Sequence, residues 1–275
     1  MSITLNYRGE TSLPVEIEGF VPDWACDKSL AEIERFEVFH GNRKVALAEL
    51  FSIAGDAADK RIDFEGDLGG VHWIGAQMRS GEIHVHGLSG RHLGSEMRGG
   101  AIVVDDDAGD WVGCEMRGGR IHIRGSAGNF VGAAYRGSPQ GMRGGTIIVE
   151  GNVGTETGWL MADGVVAVAG AAGDMVGFNM IGGAILVLGK AGIRPGAGMV
   201  GGKISLFGAD PPTVLPSFRL DRMERPEQLA AIVNELGEQM AARFAPAIAE
   251  EMAVYVGDPL AEGVGEIYLR RPVAE

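Results

Sequence analysis

Between residues 57 and 208 apolar and polar positions alternate in short bursts that recur with a fixed step. Each burst holds two aliphatic residues two positions apart: Ile83/Val85, Ile102/Val104, Ile121/Ile123, Ile147/Val149, Val166/Val168, Ile185/Val187 and Ile204/Leu206. Residues two apart on an extended chain share a face, so each doublet predicts a short strand with one buried side. A methionine precedes every doublet in register: Met78, Met97, Met116, Met142, Met161, Met180 and Met199. The step is nineteen residues within the first three and within the last four, and nineteen plus seven between Met116 and Met142. One short unit stacked along an axis has this signature. Glycines stand on both sides of the strands: Gly81, Gly100, Gly119, Gly145, Gly164, Gly183 and Gly202 before, Gly87, Gly125, Gly151, Gly170, Gly189 and Gly208 after. Only glycine takes positive φ without steric cost, so both sets predict corners.

Units stacked about 4.8 Å apart let each backbone pair with the next. The expected fold class is mainly β, a right-handed parallel β-helix of about eight coils, with residues 62–66 as a degenerate first coil. A left-handed hexapeptide helix fits less well, because nineteen is not a multiple of six. A single coil would not fold alone, so both ends need caps. The expected organisation is an N-terminal α/β cap over 1–56, a glycine-rich β-helix over 57–208 and a helical and strand tail over 209–275. In the cap, a strand is expected over 13–20, a short helix over 29–36 with Ser29 as N-cap, and a turn at His40-Gly41-Asn42-Arg43. In the tail, Leu229, Ile232, Val233, Leu236, Met240 and Phe244 fall at helical spacing within a helix expected over 219–253. Pro226 suits its first turn, Pro246 should kink it, and strands follow over 254–256 and 266–269.

The outward strand positions change character along the stack. Early ones are polar: Asp63/Glu65, His84/His86, Asp105, His122/Arg124 and Glu150. Late ones are Ala167/Ala169, Leu186/Leu188 and Ser205/Phe207. The residue after each repeat methionine follows suit, Arg79, Arg98, Arg117 and Arg143 giving way to Ala162, Ile181 and Val200. A regular apolar strip on the outside should not face water, so either the helix over 226–252 or another subunit covers it.

Composition narrows the function. The net charge of −13 disfavours phosphate backbones, which removes nucleic acid as a partner. No apolar run reaches the roughly 18 residues of a membrane span, and MSITLNYRGE lacks a signal peptide's apolar stretch, so a cytoplasmic address is expected. Cys26 and Cys114 are too few for a disulfide scaffold or a cysteine-based cluster. His84, His86, His122 and Asp105 could ligate zinc, but ligands stacked about 5 and 10 Å apart converge poorly, and a solvated polar ladder fits them better. The arginines Arg79, Arg98, Arg117 and Arg143 could clamp an anion or a carboxylate-bearing cofactor; the competing expectation is local pairing with Glu96 and Glu115. Trp111 and Phe130 share a coil position, where edge packing is favoured over an open stacking patch. The methionine column should be an internal stack. No Ser-His-Asp set, Cys-His set or acid pair on matching local motifs stands out. The chain is expected to carry no catalytic residue and no metal, and reads as a structural or assembly module.

Its motifs also resemble a known family. Gly41-Asn42-Arg43 with Leu50-Phe51, the Met-Arg-Gly-Gly coils, the longer coil over 135–145 and the ending Gly257-Asp258 with Gly263 to Tyr268 are similar to the C subunit of formylmethanofuran dehydrogenase. Over the repeat alone the chain resembles the glycine-rich C-terminal domain of glutamate synthase. The resemblance implies one component of an enzyme complex, of two possible kinds. The favoured one is the bacterial formyltransferase/hydrolase complex of one-carbon metabolism and formaldehyde oxidation. There formyl passes from formyl-tetrahydromethanopterin to a methanofuran-type carrier and leaves as formate, with metal, zinc by expectation, on another subunit. The alternative is the C subunit of a molybdenum or tungsten formylmethanofuran dehydrogenase. Either implies hydrolase-like, formyltransferase or other subunits as partners and places the chemistry on them. A carbohydrate-active β-helix protein is a remote third reading.

Overall fold

The computed structural model describes residues 2–9 and 13–270. Eight strands occupy the expected places: Arg61–Glu65, Glu82–His86, Ala101–Val104, Arg120–Ile123, Arg143–Val149, Asp163–Val168, Ala184–Val187 and Lys203–Leu206, here called rungs one to eight. They pair in parallel and in sequence order, doublet over doublet, with Ile83 beside Ile102, Ile102 beside Ile121 and Ile121 beside Ile147. A second column of parallel bridges runs through Leu68, Ser89, Ala108, Ala127, Val153, Ala172 and Ala191. Each repeat thus contributes to two stacked faces, and the fold is mainly β and β-helix-like.

The termini extend the stack as well as capping it. Ile3–Tyr7 pairs in parallel outside rung one, and Gly265–Arg270 does the same outside rung eight. Antiparallel strands then finish each end, Phe51–Ala54 on one side and Met252–Gly257 with Arg219–Glu224 on the other. The result is a 13-stranded, mostly parallel sheet. A smaller sheet joins Val15–Glu16 to Glu37–His40, Arg43–Ala46 and Val71–His72. Because Val71–His72 belongs to the first repeat, the N-terminal segment is hydrogen-bonded to the stack it covers.

Packing explains the repeat motif. All seven repeat methionines are fully buried, and the fourteen doublet side chains are buried to within 1%. The second glycine of each Met-x-Gly-Gly lies under the methionine methyl of the previous repeat. A Cβ on Gly145 would stand 2.8 Å from Met116 Cε and 2.7 Å from the Gly119 carbonyl oxygen. Its φ of 90° also needs glycine. Of the glycines after the strands, Gly87 has the expected positive φ, 141°, and the others have a different cause. Gly125, Gly151, Gly170, Gly189 and Gly208 are not in the left-handed region; they are small because neighbouring backbones touch there. A Cβ on Gly170 would lie 2.3 Å from the Gly151 carbonyl oxygen.

The tail departs from expectation in its boundaries. Residues 219–253 are not one helix: Arg219–Glu224 is a strand, followed by helices Leu229–Glu235 and Glu238–Ile248. The break falls at Gly237, whose φ is 90°, whereas Pro246 sits inside the second helix near its end. In the N-terminal segment the strand shrinks from 13–20 to Val15–Glu16, and the helix is Leu30–Glu34 with a Ser29–Glu32 capping box. The 219–224 strand forms because it finds an edge in Met252–Gly257, a pairing local periodicity does not contain. No helix among the described residues is long and apolar enough to cross a membrane.

The outward apolar strip is covered by the chain's own helices. Leu229, Val233, Leu236, Met240 and Phe244 pack on Ile148, Ala167, Leu186 and Phe207, with Phe244 and Phe207 edge to face at 6.0 Å. Arg120 fastens the pair to rung four, its guanidinium donating to the carbonyl oxygens of Glu235 and Leu236 at the first helix's C-terminus. Arg243 of the second helix pairs with Glu150 at 3.3 Å.

Candidate functional site

The polar half of the outward face forms a continuous series of charged and polar contacts from Arg61 to Arg124. Arg61 grips both oxygens of Asp63, at 3.1 and 3.2 Å. Asp63 and Asp105 hold His86 between them, each at 3.1 Å, and Asp105 also bonds His84 Nε2 at 2.9 Å and Arg124 at 2.7 Å. The His84 and His86 rings lie 3.9 Å apart. Burial alone would raise the Asp63 carboxyl, but hydrogen bonds from Arg61 and His86 outweigh it and hold the group at about 2. Asp105 is held below its ordinary value by His84 and His86 against the same effect of burial.

Sequence spacing grouped His84, His86, His122 and Asp105; the structure regroups them. Val103 stands between His84 and His122 in the register, and His122 turns to Glu150 at 2.9 Å. Asp63 takes its place: one donor atom each from Asp63, His84 and His86 falls within 4.8 Å of the others. That donor set could ligate a borderline divalent cation. The Asp63 carboxylate is already ion-paired to Arg61, however, which lowers its attraction for a cation. The ladder reading describes the geometry better.

A second ladder occupies a corner that the sequence only hinted at. Trp73, His92, Trp111 and Phe130 stand nineteen apart, and all four have φ between 64° and 68°. The repeated left-handed backbone aims their rings outward in one file. Trp73 and His92 stack at 4.2 Å and 7°, Trp111 and Phe130 at 4.2 Å and 15°. Tyr135, from the seven-residue insertion, folds back across this file. Its ring centroid lies 5.5 Å from that of Trp111, and its hydroxyl bonds His92 Nδ1 at 2.9 Å and Ser95 Oγ at 2.7 Å. Burial in this stack, with Arg91 and His72 nearby, lowers His92 to about 4, so its ring is neutral at physiological pH. Edge packing was expected for Trp111 and Phe130, and both stack within the partly buried, four-ring file. The insertion is therefore a strap over the aromatic file.

The third cluster lies beneath the tail. Tyr268 is wholly buried, and its hydroxyl meets Glu224, Glu266 and Gln228 at 3.2, 2.8 and 2.7 Å. Arg222 bridges Glu224 and Glu266, and Lys203 also pairs with Glu266. Hydrogen bonds led by Arg222 hold Glu224 at about 2. An open cleft of about 410 Å3 adjoins this network, lined by Asp163, Val165, Ala184, Lys203, Ile232 and Glu266. Its ionic groups are engaged with the protein.

Of the four arginines after the repeat methionines, only Arg143 meets an expected partner, Glu115, at 3.5 Å. The side chains of Arg79, Arg98 and Arg117 are exposed and make no hydrogen bond or ion pair among the described residues. Local pairing of the whole row is thus overturned for three of its members. Glu115 also accepts the Tyr135 amide at 3.3 Å.

Comparison with known proteins locates this arrangement. The family model described as GXGXG motif matches residues 71–255. The C subunit of the tungsten-containing formylmethanofuran dehydrogenase 2 from Methanothermobacter wolfeii is 38% identical over 89 residues, covering 31% of this chain and 33% of the relative. The C subunit of the molybdenum-containing formylmethanofuran dehydrogenase 1 from Methanothermobacter thermautotrophicus is 42% identical over 88 residues, covering 32% and 22% respectively. The chain thus spans about a third or less of the length of these curated relatives. A chain in the crystal structure of the formyltransferase/hydrolase complex (FhcABCD) from Methylorubrum extorquens with methylofuran superposes with a TM-score of 0.88. The sequence identity is 28%, over 98% of this chain and 99% of that one.

Proposed function

This chain belongs to the GXGXG family, and from that membership we propose that it is a structural subunit of a formyltransferase/hydrolase complex. The observation that carries the proposal is the whole-length likeness to a chain of such a complex. That complex would move formyl from a tetrahydromethanopterin carrier to a methanofuran-type carrier and release formate, with any catalytic metal on another subunit. This chain's part is to hold the hydrolase and formyltransferase subunits in place. The charge clusters support that role. The carboxylates of the polar ladder and of the Tyr268 network are engaged with basic side chains of the same chain. The stack is read more finely as a right-handed parallel β-helix over 57–208, between a cap over 1–56 and a tail over 209–275. Such a body is rigid and presents separate flat sides to different neighbours.

Co-expression with candidate hydrolase and formyltransferase subunits, followed by affinity capture on this chain, tests the proposal. A stoichiometric complex with formyl-transfer and formate-releasing activity is expected. A monodisperse chain that captures none of them would overturn it.

The partial matches to tungsten and molybdenum enzymes favour a second reading, the C subunit of a redox formylmethanofuran dehydrogenase. Metal analysis of the purified assembly separates the two. Molybdenum or tungsten with iron–sulfur clusters would select the redox enzyme.

A further inference from the structure

One corner of the stack changes chemistry halfway along its length. The residue after each repeat methionine donates its amide to the carbonyl oxygen of the previous repeat's methionine. Arg98 bonds Met78, Arg117 bonds Met97, Arg143 bonds Met116, Ala162 bonds Met142, Ile181 bonds Met161 and Val200 bonds Met180, all at 2.7–2.8 Å. Val264 lies next to the end of the file, one register position on, its amide donating to the Val200 carbonyl oxygen at 2.9 Å. Side chains along this edge are therefore held at the rung spacing of about 4.8 Å. Arg79, Arg98 and Arg117 form one end, exposed and without a side-chain partner among the described residues. Val200 and Val264 form the other, 44% and 76% exposed, with Leu260 of the same terminal segment at 88%.

Both halves are costly in isolation. Three guanidinium groups on adjacent rungs repel one another, and none of them has a carboxylate partner among the described residues. At the other end three large apolar side chains face solvent, although the chain covers its other outward apolar strip with its own helices. We propose that this edge docks another protein subunit, one presenting carboxylates against Arg79, Arg98 and Arg117 and an apolar face against Val200, Val264 and Leu260. This rests on the reading of the chain as part of a complex, and names the surface and the chemistry of one partner.

The layout selects that occupant over the alternatives. A small or polymeric anion would satisfy the arginines and leave the apolar half bare. A second copy paired across a two-fold axis would bring the arginines of one copy onto the valines of the other if the axis crossed the edge, and onto the other's arginines if it ran along it. A different protein meets both halves at once. Exposed arginines contribute through steering and register, so association should be salt-sensitive, with the apolar end slowing release.

The test uses the full complex, captured through a tag on this chain at low and at high salt. The variants are Arg79→Glu/Arg98→Glu/Arg117→Glu, Val200→Asp/Val264→Asp, and a charge-matched control, Arg35→Glu/Lys190→Glu/Arg225→Glu. Circular dichroism establishes that each variant is folded. Each edge variant is expected to retain at least ten-fold less of one specific subunit at low salt, while the control retains it as the wild type does. Equal retention by edge variants and wild type would overturn the edge proposal and leave the subunit reading standing. If the wild type captures no subunit, the subunit reading fails and the proposal falls with it. If the edge variants lose only self-association by light scattering, the occupant is a second copy and the proposal is wrong.

Discussion

The fit of isoleucine against corner glycine gives the sharpest quantitative prediction. Gly113 has φ +61, and a Cβ there would stand 2.4 Å from Ile147 Cδ1 and 3.3 Å from its Cγ1. Placing alanine in a left-handed backbone costs about 1–2 kcal/mol. Forcing a methyl into a filled core costs about 1–3 kcal/mol more. Gly113→Ala should therefore lose about 2–5 kcal/mol. The structure supplies its own control in Gly132, which has φ +67 but faces Val166, whose nearest atom lies 3.3 Å from the added Cβ. Gly132→Ala should show mainly the backbone part, about 1–2 kcal/mol. Ile147→Val removes the colliding Cδ1 at about 0.5–1.5 kcal/mol by itself. In combination with Gly113→Ala it should recover most of the clash, so that the pair costs about 1–3 kcal/mol less than the sum. Urea midpoints by far-ultraviolet circular dichroism for wild type, the three single variants and the double variant measure all these terms. Equal losses for Gly113→Ala and Gly132→Ala, or strict additivity of the pair, would refute the steric reasoning.

Other outcomes follow from the same structure. Ile147→Asp puts a carboxylate among fully buried aliphatics and should cost several kcal/mol, abolishing assembly; a soluble, assembled variant with native circular dichroism would contradict the inward register. His92 is neutral in the fold down to about pH 4 but charges near 6.5 when unfolded, so its stabilising contribution is complete above 6.5 and is lost as pH falls to 4. The gross loss is about 3 kcal/mol, reduced by partial exposure. His92→Phe should flatten the fall of the urea midpoint between pH 6.5 and 4, and an unchanged slope would count against the burial of this ring. Phe244→Ala should cost about 3–5 kcal/mol and loosen both tail helices from the strip they cover. Faster amide exchange in Leu229–Glu235 and Glu238–Ile248, with the rungs protected, is the expected pattern; uniform protection would argue against the docking.

What could be read in advance depended on the range of the interaction. The aromatic file was partly visible, because Trp73, His92, Trp111 and Phe130 keep the nineteen-residue step. Its strap was not, since Tyr135 comes from the one irregular repeat and reaches His92 across 43 residues. The arginine row was visible as a row, but not that Arg79, Arg98 and Arg117 have no side-chain partner among the described residues. Whether Glu96 and Glu115 reach those guanidinium groups depends on corner geometry, and their backbone is left-handed, with φ of 54° and 53°. The polar ladder was read correctly in register, with His122 two rungs on from His84, but not in its partners: His122 turns to Glu150 and Asp63 reaches His86 from the preceding rung.

The sequence by itself determined the repeating core. Every doublet, methionine and corner glycine answers to a neighbour one period away, so a local rule repeated along the chain specifies a stack. Tertiary structure alone decided where that rule stops and what meets at its surface. Ile3–Tyr7 and Gly265–Arg270 become extra rungs because open strand edges need hydrogen-bond partners, and the tail breaks at Gly237 to lay its apolar face on the late rungs. Those outcomes depend on groups far apart in the chain competing for the same surface, and a period of nineteen residues carries no information about that competition.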